Sequence, residues 1–71
     1  MIMKVSYSKH AIIRMKQRGI TKLEVKFILK HHDLMRLSKS NTKIASGHLA
    51  GRRINVVFSE KESYINIVTV L

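Results

Sequence analysis

The sequence predicts an α+β domain in which two N-terminal helices pack on one face of a roughly four-stranded antiparallel sheet. Three observations carry that reading. Two stretches before Asp33 are punctuated at both ends as helices. Beyond Asp33 the apolar residues change from helical spacing to alternation. The later runs are separated by turns of a few residues, which join neighbouring antiparallel strands. Such a sheet needs a covering layer, and the helices supply it.

Residues 1–7 place Met1, Met3, Val5 and Tyr7 on one parity, as a short strand or an extended arm. Ser8 is positioned to cap the first helix, and Gly19 stops it. Thr21-Lys22-Leu23-Glu24 is a capping box, in which hydroxyl and carboxylate each accept a hydrogen bond from the other residue's backbone. Ile20 before the cap and Val25 four residues after it form a hydrophobic staple. The second helix then runs from about Lys22 to His31, with Leu23, Phe27 and Ile28 facing inward. Strands follow at 34–39, 43–49, 52–59 and 64–71, separated by turns at Asn41-Thr42, Ala50-Gly51 and the polar stretch 60–63. Along 52–59, Ile54, Val56 and Phe58 share one face, and Arg53, Asn55 and Val57 the other.

The length of 71 residues sets one domain, 1–71. A chain of this size buries only about 60% of its unfolded surface, so the core is thin. Charge is the strongest compositional signal: fourteen Lys and Arg stand against four Asp and Glu, a net charge of +10. Before residue 57 the acids are Glu24 and Asp33 alone. Such a surface attracts a polyanion, nucleic acid first and an acidic protein second. A membrane is not expected as partner, because no apolar run approaches the roughly 20 residues of a span and neither helix joins a broad apolar face to aromatic anchors. The absence of cysteine excludes a disulfide framework and fits a cytoplasmic protein. No signal-peptide pattern opens the chain.

On the first helix His10, Arg14 and Arg18 recur every four residues, each about 40° round from the last. Gln17 lies beside them, and Ala11, Ile12 and Met15 form a separate apolar stripe. Cleaving RNA without a metal needs a base for the 2′-hydroxyl, cations for the phosphorane and an acid for the leaving oxygen. Imidazole suits a proton-transfer role, and guanidinium forks match phosphate oxygens. The same edge also reads as a noncatalytic phosphate-binding face or as solvated surface. Arg52 and Arg53 add a phosphate clamp from the sheet or a charge-protected strand end. Their parities differ, so at most one faces a given ligand. Lys22, Lys26 and Lys30 form a second row, read as phosphate contacts or as a solvated face. His31, His32 and His48 lack a completing carboxylate or cysteine cluster, so no metal site and no cofactor are expected. No glycine-rich phosphate loop or catalytic carboxylate pair is present. Two Phe and two Tyr are too dispersed for a base-stacking platform.

Together "YSKHAIIRMKQRGIT", "GRRINVVF" and the closing "IVTVL" resemble a small bacterial domain family of unassigned function. Its pattern is His-x3-Arg-x3-Arg-Gly-Ile, then a basic strand, then a final strand containing Thr. That family is grouped with the RelE/ParE-like toxins and other small RNases of the barnase–colicin–RelE fold, and it also occurs as the toxic tip of contact-delivered proteins. The resemblance implies a RelE-like fold and a metal-independent endoribonuclease of the mRNA-interferase type. It maps the signature onto His10, Arg14, Arg18 and Thr69, with one of Arg52 and Arg53 on the phosphate. Thr69 shares strand parity with Ile65 and Ile67. The implied partners are RNA and an acidic antitoxin or immunity protein. Two alternatives stay open: a noncatalytic RNA- or DNA-binding module, and a toxin of the same fold acting on a protein.

Overall fold

The computed structural model describes residues 4–71. Strand β1 (Lys4–Tyr7) leads into helices α1 (Lys9–Arg18) and α2 (Lys22–Lys30), followed by strands β2 (Leu34–Leu37), β3 (Thr42–Leu49), β4 (Arg52–Glu60) and β5 (Tyr64–Val70). The first seven residues thus yield a strand over their second half; Met1 and Met3 lie outside the described residues.

The helix boundaries follow from local chemistry. The Ser8 hydroxyl accepts the Ala11 N–H at 3.0 Å, and Gly19 closes α1 at φ 66°, a left-handed conformation that suits glycine. Thr21 and Glu24 form the capping box, with Thr21 N–H to Glu24 Oε1 at 2.8 Å and Glu24 N–H to Thr21 Oγ1 at 3.2 Å. Both staple residues, Ile20 and Val25, are buried.

The sheet contains the four expected antiparallel strands and adds a fifth, parallel one. It has five strands in the order β1-β5-β4-β3-β2, and β1 pairs with β5 in parallel, so the sheet is mixed. The meander from β2 to β5 is antiparallel, as the short turns require. A parallel partner needs a long crossover, here everything from α1 to β4, and no local turn announces it.

Both helices cover one sheet face. The core joins Ala11 and Met15 of α1 and Val25 and Ile28 of α2 to Ala45, Ile54, Val56, Phe58, Ile67 and Val70 of the sheet. Of the expected inward set of α2, one residue in three is buried. Ile28 is sealed, whereas Leu23 is 79% exposed and Phe27 40%. Val25 and Ile28 occupy the inner side, and Leu23 and Phe27 lie across the helix from them. Gly47 of β3 explains the fit: a Cβ there would stand 3.1 Å from Ile28 Cδ1, so α2 rests directly on the strand backbone. The Phe27 ring instead packs on His31, with centroids 4.8 Å apart. No helix among the described residues is long and apolar enough to cross a membrane.

Candidate functional site

Helix α1 is fastened to the sheet at both ends. At its start the Ser8 N–H donates to the Ile67 carbonyl at 2.9 Å, and the Ser8 hydroxyl donates to the Val68 carbonyl at 2.7 Å. At its end Arg52 donates through Nη1 to the Arg18 carbonyl at 3.0 Å and through Nη2 to the Gly19 carbonyl at 2.8 Å. The same guanidinium lies 3.6 Å from Glu24 Oε1. Arg52 therefore closes the C-terminus of α1 and ties it to the start of α2, satisfying carbonyls that a helix end leaves open.

Between these anchors lies the predicted row. His10 is open to solvent and Arg18 is exposed, but Arg14 is half-buried. Its Nε is sealed from water and has no hydrogen-bond partner among the described residues. A buried N–H left unsatisfied costs about 1–3 kcal/mol; the sealed Nε is out of a ligand's reach, and a contact with an anion falls to the terminal nitrogens of this half-buried side chain. Protein carboxylates do not fill that role. Glu24 serves the capping box and Arg52, Asp33 faces His48, and Glu60 binds Lys43 at 3.0 Å. The sequence of α1, KHAIIRMKQR, contains no acid at all. Helical rise separates the His10 and Arg18 Cα atoms by about 12 Å. His10 and Arg14, one turn apart, can meet one phosphodiester; Arg18 sits nearer the next.

Two sheet residues depart from the expected constellation. A β-bulge between Val57 and Phe58 shifts the β4–β5 register, so Thr69 pairs with Val57 and Val70 with Val56. Val56 and Val70 belong to the core; Thr69 and Val57 therefore point to the face without helices. Thr69 is thus parted from Ile65 and Ile67 despite shared parity, and its hydroxyl donates to the Val70 carbonyl at 3.3 Å. Arg53 also lies on the helix-free face, opposite His48 in the β3–β4 pairing. The predicted residues consequently divide: His10, Arg14, Arg18 and Arg52 occupy the helix layer, and Arg53 and Thr69 the reverse face.

The lysine row of α2 is exposed throughout, and Lys22 holds its ammonium 5.1 Å from the Tyr7 ring centroid. Tyr7 itself has a buried hydroxyl without a partner among the described residues, and burial pushes its pKa above the ordinary tyrosine value. Among the described residues no group of His, Asp or Glu could hold a metal ion.

One arrangement escaped the sequence reading. His48 Nδ1 lies 3.0 Å from Asp33 Oδ2, beside Arg53. The proximity of His48 and Arg53 was readable, since a two-residue turn at Ala50-Gly51 pairs 48 with 53. Asp33 was not, because it precedes a different strand.

A family model described as a domain of unknown function, DUF4258, matches residues 7–71. The chain belongs to the DUF4258 family. No curated protein and no solved structure matches it. The DUF4258 region begins at Tyr7 and so contains every residue of the site, from the Ser8 anchor through Arg14 to Thr69.

Proposed function

We propose that this DUF4258 domain is a metal-independent endoribonuclease of toxin type, related in fold to the RelE-like group and working in the cytoplasm. The observation that supports it most is Arg14, a half-buried guanidinium with no carboxylate partner among the described residues, one helical turn from an exposed imidazole. In this reading Arg14 takes a non-bridging oxygen of the scissile phosphate, and Arg18 steadies the adjacent phosphate of the chain. His10 removes the 2′-hydroxyl proton, the 2′-oxygen bonds to phosphorus, and the P–O5′ bond breaks. The products are a 2′,3′-cyclic phosphate and a 5′-hydroxyl, which takes its proton from water. Lys22 and Lys26 hold flanking phosphates by charge. Arg52 shapes the helix end rather than gripping substrate, and Thr69 contributes from the reverse face only through its strand.

The partner that would restrain such a protein is an acidic antitoxin or immunity protein. Leu23 and Phe27, exposed beside the lysine row, give it apolar anchors within a basic field.

One observation favours a second reading, a noncatalytic RNA- or DNA-binding module. No hydrogen bond among the described residues orients the His10 ring, and the Thr69 hydroxyl is engaged elsewhere. Total RNA incubated with protein in EDTA separates the two. The enzyme reading expects fragments ending in cyclic phosphate from the wild type, and at least about 100-fold slower cleavage by His10→Ala. It fails if the wild type leaves RNA intact, or if His10→Ala cuts equally well. A binder instead loses affinity and salt dependence with each arginine removed, and yields no product.

A further inference from the structure

We infer that the nucleic-acid surface does not end with α1 but continues over the β3–β4 turn to Arg53 and His48, forming a track for several nucleotides of single-stranded RNA. The inference rests on the phosphate-binding reading of α1 and extends it to a substrate length.

The route is built from contacts. The row on α1 ends at Arg18, whose carbonyl is held by Arg52, the first residue of β4. The next residue, Arg53, turns to the opposite face. The sheet ends here at a tight hairpin, in which Ala50 and Gly51 make a two-residue turn with φ of 55° and 79°. Arg53 and His48 stand side by side across that hairpin, both exposed. Arg53 has no carboxylate partner among the described residues, so its charge is available, unlike that of Arg52 beside Glu24. The His48 ring is held in place: Asp33 Oδ2 takes the Nδ1–H, and Asp33 is fixed in turn by its N–H to the Ser46 carbonyl at 2.8 Å. That contact occupies Nδ1 and leaves Nε2 of this exposed side chain as the second hydrogen-bonding nitrogen.

A strand leaving Arg18 thus meets two further groups before clearing the molecule. Arg53 takes a phosphate, and His48 Nε2 takes an oxygen of the adjoining sugar–phosphate unit. Single-strand sites start at about four nucleotides. The α1 row accounts for about half of that, and the turn supplies the remainder.

Binding of 2′-O-methyl oligouridylates, which cannot undergo 2′-attack, tests the track apart from cleavage. Dimer, tetramer and octamer are titrated by fluorescence anisotropy against wild type, Arg14→Ala, Arg53→Gln and His48→Ala. The wild type should bind the octamer much more tightly than the dimer. Arg53→Gln should weaken octamer binding roughly threefold, as for an exposed cation, and lower its salt slope by about 0.7, with dimer binding unchanged. His48→Ala should show a smaller loss of the same length dependence. Arg14→Ala should weaken all three lengths. Both Arg53 and His48 are exposed, and unchanged thermal melts confirm intact variants. Octamer binding that survives Arg53→Gln and His48→Ala while Arg14→Ala weakens it overturns the track and leaves the α1 site standing. A wild type that binds no oligomer overturns both.

Discussion

Two rows of basic side chains recur at four-residue spacing: His10, Arg14 and Arg18 on α1, and Lys22, Lys26 and Lys30 on α2. By pattern they are equivalent, yet their surroundings differ. The lysines extend from the exposed side of α2, where water solvates each ammonium, and Lys22 rests over Tyr7. In the α1 row only the middle member is sheltered: His10 and Arg18 are exposed, and Arg14 is half-buried with its Nε sealed and without a partner among the described residues. Helix α2 carries Glu24 in its first turn; α1 carries no acid. Spacing makes a row, and packing decides whether the row is poised for a ligand. A solvated lysine gains little from meeting an anion, because water already serves it. A half-buried guanidinium gains more, because its charge is less screened by solvent.

Removing one cation from each row gives the largest expected contrast. Arg14→Met keeps an apolar stem and deletes the charge. It should weaken binding of a short RNA roughly tenfold or more, the worth of a charge-assisted hydrogen bond. Lys26→Ala should change that affinity less than about threefold, as for a screened surface charge. The same Arg14→Met chain should resist urea better than the wild type by about 1 kcal/mol, since an unsatisfied buried donor is gone. A tighter site in a weaker fold is a common trade. Equal affinity losses from the two substitutions would erase the distinction between the rows.

Their N-caps sharpen the comparison next. Ser8 accepts the Ala11 N–H and also donates to the Val68 carbonyl, so it joins α1 to β5. Thr21 acts within its own helix end, and that end is exposed. Ser8→Ala should cost about 2 kcal/mol, one cap plus one part-buried hydrogen bond, and Thr21→Ala about 1 kcal/mol. Urea denaturation of both variants measures the difference. Identical losses would mean that the Val68 contact contributes nothing.

The helix ends were legible because capping is written within four residues: Ser8 with Ala11, Thr21 with Glu24, Gly19 alone. The antiparallel meander was legible because its turns are short. What escaped was non-local. The parallel partner of β1 lies sixty residues along, as the Lys4–Tyr64 pairing records. One extra residue near Val57 reversed the face of Thr69, and an alternating pattern cannot show a bulge that its apolar residues tolerate. Leu23 and Phe27 matched a core stripe as well as Val25 and Ile28 did; the choice fell to the bare backbone at Gly47. Arg52 escaped because it binds backbone carbonyls, which have no sequence signature. For the site, the α1 row was readable as a pattern, but the unpaired state of Arg14 depends on where three of the four carboxylates went.

The smallest expected effect concerns those carboxylates. The Glu24 carboxyl titrates below the ordinary glutamate value, chiefly because the Thr21 backbone N–H bonds to it, with further help from the Thr21 hydroxyl and the Arg52 charge against an opposing desolvation. A depressed folded-state pKa contributes stability above the unfolded-state value, and that contribution disappears as pH falls through the folded-state value. Acid should therefore loosen the start of α2 and its link to Arg52 before it touches the start of α1, whose cap is a hydroxyl and does not titrate. Amide NMR through an acid titration tests this directly. The Thr21 N–H resonance should move with the Glu24 carboxyl, the Ala11 resonance should stay, and Glu24→Gln should flatten the Thr21 curve. A Thr21 amide indifferent to acid would show that the capping box is not holding the charge, and α2 would then be no better anchored at its start than its exposed lysines suggest.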